Sequence, residues 1–150
     1  MHKSLYLAAT SILGAILAPS SGHTTPIVAG NYYEDRINPT CPQSFYFCRG
    51  TFSATPAGRV LNIERLTCTV TTTQPITEST LNVATTANGS ATRTFGLAFA
   101  KTVQVANLHY YNVNEEVKIR VGAGRYPYIM IEYPNIGTAH LDCVIIGTLL

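Results

Sequence analysis

From residue 45 onward apolar and polar side chains alternate in short runs closed by turn-forming residues, and no window carries the 3.6-residue period of a helix. A chain patterned this way buries its apolar side chains by forming strands, because alternate residues of a strand point to opposite faces. In "TRTFGLAFA" Arg93, Phe95, Leu97 and Phe99 share one face and Thr94, Gly96 and Ala98 the other. In "RVLNIERLTCTV" the apolar phase runs Leu61, Ile63 and then Leu66, Cys68, Val70, slipping by one residue; the slip predicts a β-bulge near Glu64 and Arg65. Asn88-Gly89, in "TTANGSATR", predicts a hairpin turn because both residues tolerate positive φ.

These signals predict strands at 45–52, 59–72, 79–86, 92–100, 102–110, 115–121, 127–133 and 139–148. About eight short strands at near-regular spacing predict an all-β fold, a single antiparallel β-sandwich of jelly-roll type. The stretch before them, residues 23–44, carries three prolines and no sustained period, and reads as an irregular lead-in to a domain spanning 45–150. "LDCVIIGTLL" at the C-terminus reads as a buried strand; the other reading of such an end is an open sheet groove that takes a neighbour's strand.

The N-terminus has a different pattern. A short basic start, "MHK", precedes an apolar run from Leu5 to Ala18 and a polar exit, "PSSG". This is the layout of a signal peptide over residues 1–22, with cleavage after Gly22. The run is shorter than the roughly 20 residues that span a bilayer, so no stable membrane anchor is expected in the mature form. The chain is therefore expected to be secreted or periplasmic. The remaining charges are few and balanced, and no basic run is present, so nucleic acid is excluded as a partner.

Export bears on the four cysteines, Cys41, Cys48, Cys68 and Cys143: an even number in an oxidising compartment predicts two disulfides. Their spacing does not match zinc-ligand pairs. A hairpin of "SFYFCRGTF" with "RVLNIERLTCTV" favours Cys41 with Cys68 and leaves Cys48 for Cys143. The alternative joins Cys68 to Cys143 in the core and closes Cys41 locally on Cys48, which would turn three strand-forming aromatics into a loop.

No catalytic constellation emerges. No serine stands in a nucleophile elbow, and the carboxylates Glu64, Glu116 and Glu132 on strand-like segments read first as a wet face. His140 and Asp142 share a strand face but are too few for a metal site, Glu34 and Asp35 are an unspecific calcium patch, and no cofactor is expected. "NGS" at Asn88 is a formal glycosylation sequon.

The densest feature is "HYYNVNEEVKIRVGAGRYPYIMIEY", which holds five of the nine tyrosines. Paired as a hairpin with apolar faces aligned, Ile119 falls opposite Ile129 and Arg120 beside Tyr128. Tyr133 then belongs to the core, and Arg120, Arg125, Tyr126 and Tyr128 form an exposed binding patch. The expected function is a non-enzymatic binding or adhesion module for a glycan or protein. The alternatives are a structural subunit of a surface assembly that exchanges strands and, more weakly, a small carboxylate hydrolase.

Overall fold

The computed structural model describes residues 22–150; residues 1–21, with nearly all of the predicted signal peptide, lie outside the described residues. The described chain is all-β. Its strands are β1 (Gly22–His23), β2 (Ile27–Ala29), β3 (Tyr32–Asn38), β4 (Thr40–Thr51), β5 (Leu61–Thr72), β6 (Glu78–Ala84), β7 (Ala91–Gly96), β8 (Ala100–Val105), β9 (Leu108–Val121) and β10 (Tyr126–Leu149). They form one antiparallel sheet.

The long strand β10 organises it. Its first part, 126–132, runs between β4 and β6, with Ile129 opposite both Gly50 and Leu81. Its last part, 139–149, runs between β3 and β5, with Cys143 opposite both Ile37 and Cys68. β9 and then β8 extend the sheet beyond β5, β7 extends it beyond β6, and β1 and β2 flank β3. Buried side chains of both branches merge into one core that includes Ile37, Leu66, Leu81, Ile129, Leu141 and Ile145.

Two predicted strands, 127–133 and 139–148, are thus one strand interrupted by irregular register between Glu132 and Ala139. Pro134 falls in that interruption, where a missing N–H breaks no ladder. The predicted bulge is present: Ile63 pairs with Ile119 and Arg65 with Glu116, which leaves Glu64 unpaired. At the same point Gly147 of β10 packs so closely on the Asn62 carbonyl that a Cβ would collide with it. The β6–β7 turn also falls where expected, but neither Asn88 nor Gly89 has positive φ. The turn instead closes with the Gly89 N–H donating to the Thr86 carbonyl at 3.0 Å.

Residues 23–44 are not irregular, because they contain β2, β3 and the start of β4. The alternation in "YYEDRIN" is real but disguised. Tyr33, Asp35 and Ile37 all point inward, and the middle one is a buried carboxylate. Asp35 is satisfied there by the backbone N–H groups of Arg36 (2.9 Å) and Ser53 (2.7 Å), with the Tyr33 hydroxyl at 3.4 Å. Burial, with Asp35 beside it, pushes the Tyr33 hydroxyl above its ordinary range.

Both disulfides are present, as suits an oxidising compartment, but the favoured pairing is overturned: the bonds are Cys41–Cys48 and Cys68–Cys143. Cys68 and Cys143 are direct cross-strand partners on β5 and β10, both fully buried. The strand predicted at 45–52 nonetheless forms: Phe45, Tyr46 and Phe47 lie within β4, but exposed instead of in the core.

Candidate functional site

The four residues predicted to form one patch are dispersed. β9 pairs with β5 and β8 and never with β10, so the expected hairpin register does not exist. The reason is topological: along this branch β9 and the last part of β10 flank opposite sides of β5. Arg120 stands opposite Asn62, and its carbonyl accepts a 2.7 Å hydrogen bond from Arg93 Nη1. Arg125 sits in the exposed turn after β9, where its carbonyl accepts from the Thr55 N–H. Tyr128 is not on a wet face: it is 3% exposed, with the Arg49 guanidinium 3.6 Å from its ring centroid. Tyr133 is in the core as predicted, and so is Tyr111, whose hydroxyl accepts from the Ile76 N–H.

Tyr126 opens onto a cavity. This cleft of about 470 Å³ is lined by Ile37, Pro39, Phe52, Asn88 and Tyr126, with Thr51 and Arg49 at its side. One wall is the end of β4; the other is the β6–β7 turn. Arg49 fixes the two walls together. Its Nη1 donates to the Gly89 carbonyl at 2.9 Å, its Nη2 to the Ala87 carbonyl at 2.9 Å, and its Nε to Thr51 Oγ1 at 3.1 Å. Thr51 in turn donates to the Ala87 carbonyl. Burial lowers the Arg49 guanidinium from its usual range, and Tyr128 opposes the shift. A guanidinium occupied in this way is a brace for the wall, leaving Asn88 and Tyr126 to face an occupant.

The cleft therefore has an apolar floor, one half-buried aromatic ring and an exposed amide at the rim. Sequence reasoning found Tyr126 but missed Asn88 as its neighbour. It also missed Arg49, for which the only signal was a lone arginine inside an apolar strand.

The other sequence candidates are engaged elsewhere. Asp142 holds Arg36 through two hydrogen bonds of 2.9 and 2.6 Å, and His140 Nδ1 lies 3.1 Å from Thr40 Oγ1. Among the described residues no cluster of three metal-ligating side chains occurs. Glu64 accepts a 2.6 Å hydrogen bond from Thr148, and Glu116 lies 3.7 Å from Arg65. Glu132 is on another strand, facing Glu78. Asn88 of the sequon is exposed. Comparison with protein-family models, with curated proteins and with solved structures finds no match to this chain.

Proposed function

We propose that this protein is a secreted or periplasmic, non-enzymatic binding module that takes a carbohydrate in the cleft beside Tyr126. The observation that carries the reading is the cleft's chemistry: a ring and an amide over an apolar floor, on walls braced by Arg49. Sugar rings offer apolar C–H faces for an aromatic ring and hydroxyls for an amide, and a concave site of this volume suits one or two of them. A protein partner would call for a broader, flatter surface. The merging of both branches into one core supports a β-sandwich of jelly-roll type as scaffold. The engagement of Glu64 by Thr148, and of Glu116 near Arg65, argues against a carboxylate pair acting on the sugar. Screening on an immobilised oligosaccharide array tests the reading: the wild-type chain is retained by a subset of glycans, and Tyr126→Ala is not.

One observation favours a second reading, a subunit of a surface assembly. Among the described residues strand β8 pairs only with β9, and every one of its residues is exposed. The end of β10, by contrast, is flanked on both sides by β3 and β5, so strand exchange would use β8. A ladder of polymers on sizing would support it; a single monomer peak would rule it out.

A further inference from the structure

Asn88-Gly89 is the one Asn-Gly pair in the chain, and Asn88 stands at the rim of the cleft. An asparagine followed by glycine is open to self-modification, because no Cβ on the glycine shields its backbone nitrogen from the asparagine side chain. The Gly89 nitrogen attacks Asn88 Cγ, the Cγ–Nδ2 bond breaks, and the proton given up by the Gly89 nitrogen departs with the amide as ammonia. Water then opens the cyclic imide that remains. The net exchange is amide plus water for carboxylic acid plus ammonia, with no other reactant. Opening at Cγ leaves aspartate; opening at the main-chain carbonyl leaves an isoaspartyl link with an extra methylene in the backbone. Asn88 is exposed, so water reaches it.

The local conformation opposes this reaction. Residues 86–89 form a turn closed by the Gly89 N–H on the Thr86 carbonyl at 3.0 Å. Neither central residue, Ala87 or Asn88, has positive φ, which makes the turn type I and sets the Asn88 ψ near about 0°. Ring closure needs the Gly89 nitrogen on the Cβ side of the Asn88 Cα, whereas at this ψ it lies on the side of the Asn88 nitrogen. The peptide plane between the two residues must therefore rotate, which breaks the Gly89–Thr86 bond and carries the Gly89 carbonyl away. Arg49 resists that rotation. Its Nη1 holds the Gly89 carbonyl and its Nη2 the Ala87 carbonyl, each at 2.9 Å, so the main chain is pinned on both sides of Asn88. The guanidinium is itself fixed, by the Tyr128 ring and by Nε donating to Thr51.

We propose that Asn88 is a deamidation site and that Arg49 is the latch that keeps it an amide. While both carbonyls are held the side chain persists; when local opening of the turn releases them it converts, and the rim of the cleft gains a carboxylate. Conversion removes the amide's donors and leaves a group that only accepts. On the carbohydrate reading of the cleft, on which this last consequence alone rests, conversion is an irreversible loss of binding as the protein ages.

Peptide mapping by mass spectrometry, on the intact chain incubated in mildly alkaline buffer without ligand, follows the amide-to-acid mass gain at position 88. The folded wild-type chain should convert roughly tenfold or more slowly than the same chain unfolded in urea with its disulfides intact. Arg49→Ala, with folding verified by circular dichroism, should convert roughly tenfold or more faster than folded wild type, because two charge-assisted hydrogen bonds no longer hold the turn. Arg49→Lys should fall between them, since a point charge cannot hold both carbonyls in a planar fork. Gly147→Ala, which perturbs the part of β10 between β3 and β5, should convert like wild type. If Arg49→Ala does not fold, Arg49→Lys and the folded-to-unfolded ratio of the wild type decide the matter. Folded wild type converting as fast as the unfolded chain, Arg49 variants converting no faster than wild type, or Gly147→Ala matching them each overturns the proposal. The rates are read without sugar, so a glycan screen that finds no ligand leaves them standing.

Discussion

The guanidinium of Arg49 lies 3.6 Å from the ring centroid of Tyr128, so an arginine from β4 covers a tyrosine of β10 on the face turned away from the core. A face that alternation marks as wet is dry at this point, and the arginine that dries it also holds the turn walling the cleft.

Arg49→Ala should lower stability by about 2 kcal/mol, because it removes a stacked cation, takes the Arg49 donor from the Gly89 carbonyl and leaves the Ala87 carbonyl to Thr51. Tyr128→Ala should cost about 3–4 kcal/mol as a buried aromatic, whereas half-buried Tyr126→Ala should cost under about 1 kcal/mol. Urea unfolding of the three variants checks the order. A double-mutant cycle between Arg49 and Tyr128 should return a coupling of about 1 kcal/mol.

The two disulfides should differ in weight. They close loops of 7 and 75 residues. In the chain-entropy account this gives about 2.4 kcal/mol for the short loop and about 4.5 kcal/mol for the long one. Replacing Cys68 and Cys143 by Ala should also lose core packing, so that variant should melt well below the Cys41→Ser, Cys48→Ser pair. Paired thermal melts measure the difference.

Gly147→Ala should destabilise by about 2 kcal/mol or more, because the added methyl meets the Asn62 carbonyl at the bulge and backbone cannot swing aside. Denaturant midpoints test this, and Gly96→Ala, where a Cβ meets nothing, serves as control.

Alkaline stability should also report the core. Burial raises the hydroxyl pKa of Tyr33 and of Tyr133 in the folded state. Unfolded tyrosines ionise near pH 10, so above about pH 10 the unfolded chain loses protons that the folded chain retains. The stability held below that pH is therefore lost as pH rises. Urea midpoints measured from about pH 9 upward should fall, and Tyr33→Phe together with Tyr133→Phe should flatten the slope.

What alternation encodes was legible: the β class, the bulge at Glu64, and the inward direction of Tyr133 and of the apolar positions in the last strand. Alternation specifies which face a residue takes, not which strand lies alongside. The β9–β10 hairpin therefore failed although the inward positions Ile119, Ile129 and Ile131 were assigned correctly. β3 was hidden by a single inward carboxylate, Asp35, whose partner Ser53 lies on another segment. The cleft was half legible. Tyr126 stood out by composition, but Asn88 becomes its neighbour only once Arg49 draws the turn against β4.

The most direct test of the cleft compares dissociation constants for the best-retained glycan on the array between the wild-type chain and Tyr126→Ala, Asn88→Ala and Arg120→Ala. The first two should weaken binding roughly tenfold or more, as expected when a stacking ring or a hydrogen-bonding amide is lost, with unfolding midpoints close to wild type. Arg120→Ala should bind like wild type. Absence of any retained glycan, or retention unaffected by Tyr126→Ala, would contradict the assignment of the cleft as a carbohydrate site.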